Sequence, residues 1–393
     1  MDRADVLIVG GGIVGSAVAY FLSIDPAFQW RKIVIVERDT SYREASTARS
    51  AGGLRQQFST PENIALSQAT LAMFRRLKTI FGADADVGFR EQGYLILASE
   101  SGAAVLAENV ALQQAHSADT VLLEPGALAH AFPWIATDGV AAGAFGRSGE
   151  GWFDPPSFAG LMRSAAQARG VTVVQDEVAA IDMKGGRIAG VRLASGNAIA
   201  CDALVNAAGP WAGAVANLAG IHLPVEPRKR TVYVIDCREP PPALHKAPLT
   251  VDASGVWFRP EGRLFICGKS PEPDQEPPVG DLDAIDHAFF DAQVWPQLAA
   301  RVPAFEAVKV VNAWAGYYDF NTLDQNAVIG PHPELANFYF ANGFSGHGAQ
   351  QAAPAGRAIA ELIVHGRFIT LDLTRLGYSR IAANAPFIER NVI

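Results

Sequence analysis

The glycines at positions 10, 12 and 15 stand at the spacing G-x-G-x-x-G within the run DVLIVGGGIVGSAVAYFL. Residues 6–9 read as a short buried strand, and a helical pattern opens at Ile13. In such a turn the first glycine permits the tight bend and the second lets backbone approach a pyrophosphate. The third lets the helix pack close to the strand. The helix N-terminus then offers unpaired N–H groups and a positive dipole end to phosphates. A second strand, residues 32–36, ends at Glu37 and Arg38, where a carboxylate accepts the hydroxyls of an adenosine ribose. The chemistry implied is dinucleotide binding. The apolar run over residues 6–22 also resembles a membrane span, but three consecutive glycines suit a spanning helix poorly and no cationic cluster flanks it. No transmembrane span is expected, and a strand that starts by residue 4 leaves no room for a leader peptide.

Three further stretches carry polar groups at glycine-rich places. Residues 41–58 hold Ser46, Thr47, Arg49 and Ser50 beside Ala51 and Gly52, donors suited to wrapping a phosphate or a ring. The strand over residues 203–208 closes in Gly209-Pro210-Trp211, a second turn where backbone can approach a cofactor. A strand at residues 338–341 runs into Gly343-Phe344-Ser345-Gly346-His347-Gly348, and a helix then continues to about residue 365. His347 is either a proton acceptor at a site or a residue that merely caps that helix.

These groups need elements to position them. The 393 residues are 49% hydrophobic, enough for a large core and too long for a single one, so two domains are expected. A net charge of −8 without a basic run argues against nucleic acid. Three cysteines without metal or redox spacing suggest a reducing, cytoplasmic compartment, and the eight histidines form no metal-ligand pattern. Helices are expected over residues 63–81, 103–115, 156–169 and 281–298, and strands over 87–98, 171–175 and 305–315. A hairpin is expected at 256–267, and residues 271–278 read as a proline-rich surface loop.

VGGGIVG with Glu37, VNAAGPW and ANGFSGHG, in that order, resemble the D-amino-acid oxidase superfamily of FAD enzymes, in the branch of sarcosine oxidase, glycine oxidase and D-amino-acid dehydrogenases. RSAGGLRQQFS and GYYDFNTLDQNAVIGPHP resemble those of its members linked to assembly of mitochondrial complex I, and their bacterial relatives. The resemblance spans nearly the whole chain. It implies an α/β architecture: a discontinuous Rossmann-like FAD domain (residues 1–85, 145–220 and 325–393) and a mostly antiparallel substrate domain (86–144 and 221–324). It would assign Gly10, Gly12, Ile13 and Gly15 to the pyrophosphate turn and Glu37 to the ribose, with Arg38 beside it in the cofactor site. Ser46, Thr47, Arg49, Ser50, Ala51 and Gly52 would pass along the cofactor, and Val178 would lie at the adenine. Ala208, Gly209 and Trp211 would form the second turn. Gly346, His347, Gly348 and Gln350 would form a flavin-edge loop, whose helix dipole would stabilise the reduced ring. Arg55 aligns with an arginine that binds the substrate carboxylate in sarcosine oxidase.

The departures narrow the expectation. Covalent attachment uses a Cys near Gly316-Tyr317-Tyr318 in sarcosine oxidase and a His near the serine–threonine segment in dimethylglycine dehydrogenase. Neither residue is present here, so FAD should be non-covalent. Family cations near Tyr318 and Gln350 are also missing, so a carboxylate clamp would rest on Arg55, with Arg228, Arg230 or Lys269 as helpers. Asp319 favours an amine or cationic substrate, and Trp257, Phe258, Tyr317 and Tyr318 are candidate pocket walls. The reaction implied is oxidation of a C–N bond in a secondary amine or amino acid, with hydride passing to flavin N5 and hydrolysis of the imine. The electrons would pass to O2, quinone or a carrier protein, with Lys269 a candidate for activating oxygen. Two alternatives stand beside it. One is a 2-hydroxy-acid dehydrogenase with His347 as base. The other is a low-turnover FAD-bound assembly protein of a respiratory complex. A cytoplasmic location, peripheral to the inner face of a membrane, would suit either the enzyme or the assembly protein.

Overall fold

The computed structural model describes residues 2–390. Its first sheet is ordered Val328–Pro331, Phe338–Asn342, Ala198–Asn206, Arg3–Val9, Ile33–Glu37 and Thr172–Gln175, with the meander strands Val178–Lys184 and Arg187–Leu193 attached to Ala198–Asn206. The five strands from Phe338 to Gln175 in that order run parallel. Parallel strands need crossovers and cover on both faces, which is why Val6–Val9 and Ile33–Val36 are continuously apolar and buried. Helices Ile13–Ile24, Pro155–Gln167 and Gly348–His365 contribute to the core on one face. At the crossing of the first and last, a Cβ on Gly356 would stand 2.6 Å from that of Ala17, so only glycine allows this approach.

The second sheet is ordered Val308–Asn321, Val225–Cys237, Leu264–Gly268, Trp257–Glu261, Leu249–Val251, Tyr94–Ala98, Ala142–Gly146 and Thr120–Leu123. All its pairings are antiparallel except Leu249–Val251 with Tyr94–Ala98. The chain is thus a mixed α/β protein with two eight-stranded sheets.

Several elements differ from the sequence-based expectation. The helix expected over residues 63–81 is two, Pro61–Arg75 and Leu77–Phe81, broken where Arg76 leaves helical geometry at φ −115° and ψ 10°. Of residues 87–98 only Tyr94–Ala98 is a strand, because Gly88 and Gly93 both adopt positive φ. Residues 281–286 are not helical. The Asp286 side chain accepts the Phe289 N–H and starts a helix at His287, with a π-helical turn at Phe290–Val294 before Trp295–Arg301. The strand expected at 305–315 is Val308–Asn321, displaced by a 3-10 turn at Pro303–Ala307. All three cysteines are buried and unpaired. Among the described residues no helix is long and apolar enough to cross a membrane, and no cluster of His, Cys, Asp or Glu could hold a metal.

Candidate functional site

Between the carboxyl ends of the parallel strands and one face of the second sheet lies a cavity of about 600 Å³. Its size is that of a cleft for a large ligand, and its position is where doubly wound sheets bind theirs. The cavity begins at Gly10, whose positive φ of 96° permits the bend off the first strand. A Cβ there would meet the Ala207 carbonyl oxygen at 2.4 Å, which locks two of the expected turns against one another. Gly15 does not line the cavity. Its missing side chain admits the Gly10 carbonyl, which a Cβ would approach to 1.9 Å. Gly12 does line it, and a Cβ there would make only an ordinary contact with Thr47 Oγ1 at 3.4 Å.

Glu37 holds this end in shape. Its Oε2 accepts the Gly11 N–H at 2.7 Å and its Oε1 accepts the Asp39 N–H at 2.9 Å, which fixes the carboxylate while leaving further lone pairs for hydroxyls. Thr47 Oγ1 accepts the Ile13 N–H at 3.0 Å, and Arg38 stacks over Trp211, 4.8 Å from the ring centroid. Ser46 donates to the Tyr317 carbonyl at 2.6 Å, and Arg49 Nη1 to the Ala315 carbonyl at 2.9 Å, tying the serine–threonine segment to the second sheet. Ser50, Ala51, Gly52, Ala208, Gly209, Gly346, Gly348 and Gln350 line the same cavity. Val178 does not line it. Its side chain packs with Ile181 and Val191 in the core beneath the meander.

At the other end, Arg55 Nη2 lies 2.9 Å from His347 Nε2. A guanidinium has no lone pair to offer, so Nε2 must be the acceptor and Nδ1 carries the ring proton. Burial, with the Arg55 charge adding to it, pushes the His347 pKa well below its usual value, so the ring is neutral. Arg55 is 2% exposed; it also donates to the Gln57 carbonyl at 2.5 Å and stacks on Phe58 at 4.3 Å. Gln350 Oε1 accepts the Arg55 N–H at 2.8 Å. Beneath them Glu150 accepts from the Gln56 N–H and Gln57 Nε2, and burial raises its pKa to about 7.

The second sheet supplies the opposite wall with Tyr94, Arg230, Leu249, Trp257, Lys269, Tyr317, Tyr318 and Asp319. Phe258, expected beside Trp257, instead points into the core, where it meets Trp134 and Phe305 edge-on. Successive strand residues face opposite sides, so the two cannot share the wall. Desolvation raises the Asp319 pKa to about 6, and its Oδ2 accepts the Phe344 N–H at 3.1 Å. Lys269 is tucked against the wall and stands 3.9 Å from Glu272. Arg228 lies outside the cavity lining. Tyr42 lines the cavity beside Glu37 without having been anticipated. No motif marks it, and it reaches the site through a positive φ of 56°.

The cavity thus lies at the carboxyl ends of a parallel sheet, closed by a largely antiparallel one, the place where doubly wound folds hold a dinucleotide. The chain belongs to the DAO family of FAD-dependent oxidoreductases, whose family model matches residues 5–362. It is 43% identical to FAD-dependent oxidoreductase domain-containing protein 1 of Xenopus laevis, over 100% of this chain and 85% of that protein. Identity to mitochondrial dimethylglycine dehydrogenase of Rattus norvegicus is 26%, over 100% of this chain and 48% of that one. Among solved structures, L-proline dehydrogenase from P. horikoshii superposes with a TM-score of 0.83 at 25% identity, covering 97% of this chain and 98% of that one. Glycine oxidase from Geobacillus kaustophilus gives 0.80 at 23%, covering 96% and 98%, and shares the fold.

Proposed function

We propose that this chain oxidises a C–N bond of a secondary amine or amino acid with non-covalently held FAD. Gly10, Gly12 and Ile13 would hold the pyrophosphate, Glu37 the ribose, and residues from Ser46 to Gly52 with Gly346 to Gln350 the ring. The fit rests on the open side of Gly12 and on the anchored Glu37 carboxylate. When bound, FAD supplies the hydride acceptor.

The observation that carries the choice of substrate is the bond from Arg55 to His347. Oxidising a 2-hydroxy acid needs a base to take the hydroxyl proton, and the Nε2 lone pair that would serve is already accepting from Arg55. A neutral amine brings its own lone pair, loses hydride from the adjacent carbon, and leaves an imine that water hydrolyses. The aromatic wall of Tyr94, Trp257 and Tyr318 would exclude bulk water around the reacting carbon, and Asp319 would place a negative charge near an amine. O2, a quinone or a carrier protein would take the electrons.

Anaerobic titration of the yellow protein with N-alkyl glycines, α-amino acids and 2-hydroxy acids tests this reading. Bleaching of the flavin band by an amine supports it, and bleaching only by a hydroxy acid contradicts it. Admitting air to the reduced protein then tells an oxidase from a dehydrogenase.

A further inference from the structure

Residues 270–283 form a strap over the cavity mouth, and Ser270, Val279, Gly280, Asp281 and Leu282 line it from that side. The proline-rich stretch expected as a surface loop, residues 271–278, lies between these lining residues, is largely exposed, and meets the cavity wall through Glu276. Two anchors hold the strap. Tyr317 Oη donates to the Gly280 carbonyl at 2.5 Å and accepts its N–H at 2.8 Å, and Lys229 Nζ donates to the carbonyls of Asp281 and Ala284 at 2.6 and 2.7 Å. A third contact differs in kind. From the strap, Glu276 turns inward onto Arg230 in a bidentate pair, with Nη1 to Oε2 at 2.8 Å and Nη2 to Oε1 at 2.7 Å.

Arg230 is one of the cations lining the cavity, on the wall that the second sheet supplies. It lies on the cavity wall opposite Gly316 in the sheet register and stacks 5.6 Å from the Tyr318 ring centroid, yet its side chain is only 11% exposed. Its Nε is buried without a hydrogen-bond partner. A guanidinium presents a planar fork matched to a carboxylate, and Glu276 occupies that fork in the manner of a carboxylate ligand. Arg228 stands 3.8 Å from Glu276 Oε1 as well as bonding the exposed Glu226, so Glu276 retains a cationic partner if Arg230 is taken by something else. Arg55, by contrast, is fixed within the protein by His347 and the Gln57 carbonyl.

We propose that Arg230 is the receptor for the carboxylate of the substrate, and that Glu276 is a resident stand-in which a substrate carboxylate displaces onto Arg228. The substrate class is then an amino or N-substituted amino acid rather than a simple amine. The inference rests on the C–N reading and narrows it. Binding to Arg230 also breaks the inward contact of the strap while leaving the anchors at Gly280 and Asp281 intact, so the mouth opens by the Glu276 segment alone.

The test uses the FAD-loaded protein and a redox-inert aliphatic carboxylate, propionate, followed through its perturbation of the flavin spectrum. R230Q is expected to weaken propionate binding on the order of 100-fold, as loss of a desolvated charge pair does, and R230K to restore only part of it. E276Q removes the competitor and is expected to tighten binding. Unchanged binding in R230Q, weaker binding in E276Q, or a larger loss in K269Q than in R230Q would each overturn the assignment. Thermal melting and flavin content of each variant separate a lost fold from a lost contact. Because propionate is not oxidised, the result is independent of turnover. Binding through Arg230 without reduction by any amine refutes the C–N reading alone. Reduction by an amino acid whose concentration dependence is unchanged in R230Q refutes the carboxylate receptor alone.

Discussion

Arg55 and His347, 292 residues apart in sequence, meet at 2.9 Å in the lining of the cavity, with the guanidinium as donor and Nε2 as acceptor. This bond assigns the histidine tautomer and engages its lone pair, while burial, with the Arg55 charge adding to it, keeps the ring uncharged.

A neutral His347 has a consequence for stability. Its folded pKa lies below its unfolded value near 6.5, so the unfolded chain binds the extra proton first as pH falls. The stability it contributes is present above about pH 6.5 and is lost progressively below it. Melting temperature measured from pH 7.5 to 5 should fall more steeply for the native protein than for H347N. If H347N shows the same slope, His347 is charged or exposed in the folded protein.

Glu150 acts with the opposite sign. Its folded pKa of about 7 exceeds the unfolded value, so the folded state holds a proton that the unfolded chain releases. Its contribution should improve as pH falls from about 7 toward 4.5 and become a cost above 7. The variant E150Q should therefore gain on the native protein in chemical denaturation at pH 8 relative to pH 5. A difference that does not change with pH would contradict this.

The glycines of the first turn differ in what a side chain would meet. G10A and G15A place a Cβ within 2.4 Å and 1.9 Å of carbonyl oxygens, so both should melt several degrees lower even without cofactor. G12A makes only a 3.4 Å contact and has φ −59°, which alanine tolerates. It should leave the melting temperature of the cofactor-free protein unchanged and weaken FAD binding at least about tenfold, a loss of about 1.4 kcal/mol. Equal effects of all three substitutions would contradict this division.

The stretch around Asp324 is structural. Asp324 accepts from Arg380 at 2.6 and 3.1 Å, from Asn321 at 2.9 Å and from the Phe387 N–H at 3.0 Å, and its side chain is fully buried. R380M leaves that carboxylate buried without its counter-charge and should cost about 3–5 kcal/mol in denaturant unfolding. A cost below about 1 kcal/mol would show that the pair is not essential to this corner of the fold.

Local spacing made the first turn legible in sequence. Gly10, Gly12 and Gly15 act within six residues of one another, and Glu37 is placed by one strand–helix–strand unit. Ala208–Trp211 and Gly346–Gln350 were legible for the same reason, since each is a strand running into a turn. Pairings set by packing between distant segments were not. Nothing near Arg55 announces His347, and nothing near Glu276 announces Arg230. Both depend on how the second sheet closes over the first. The broken helix at Arg76 and the non-helical 281–286 segment escaped similarly, because the apolar period there is compatible with a helix that the geometry at Arg76 and the cap at Asp286 interrupt.

The central claim is that the cavity oxidises a C–N bond, and product stoichiometry tests it most directly. The FAD-loaded protein is mixed anaerobically with an N-methyl amino acid, and flavin reduction is counted against released carbonyl product. One carbonyl and one shortened amine per flavin reduced is the predicted result. A fully yellow protein that no amine reduces, or one reduced only by a 2-hydroxy acid to a keto acid, would contradict it.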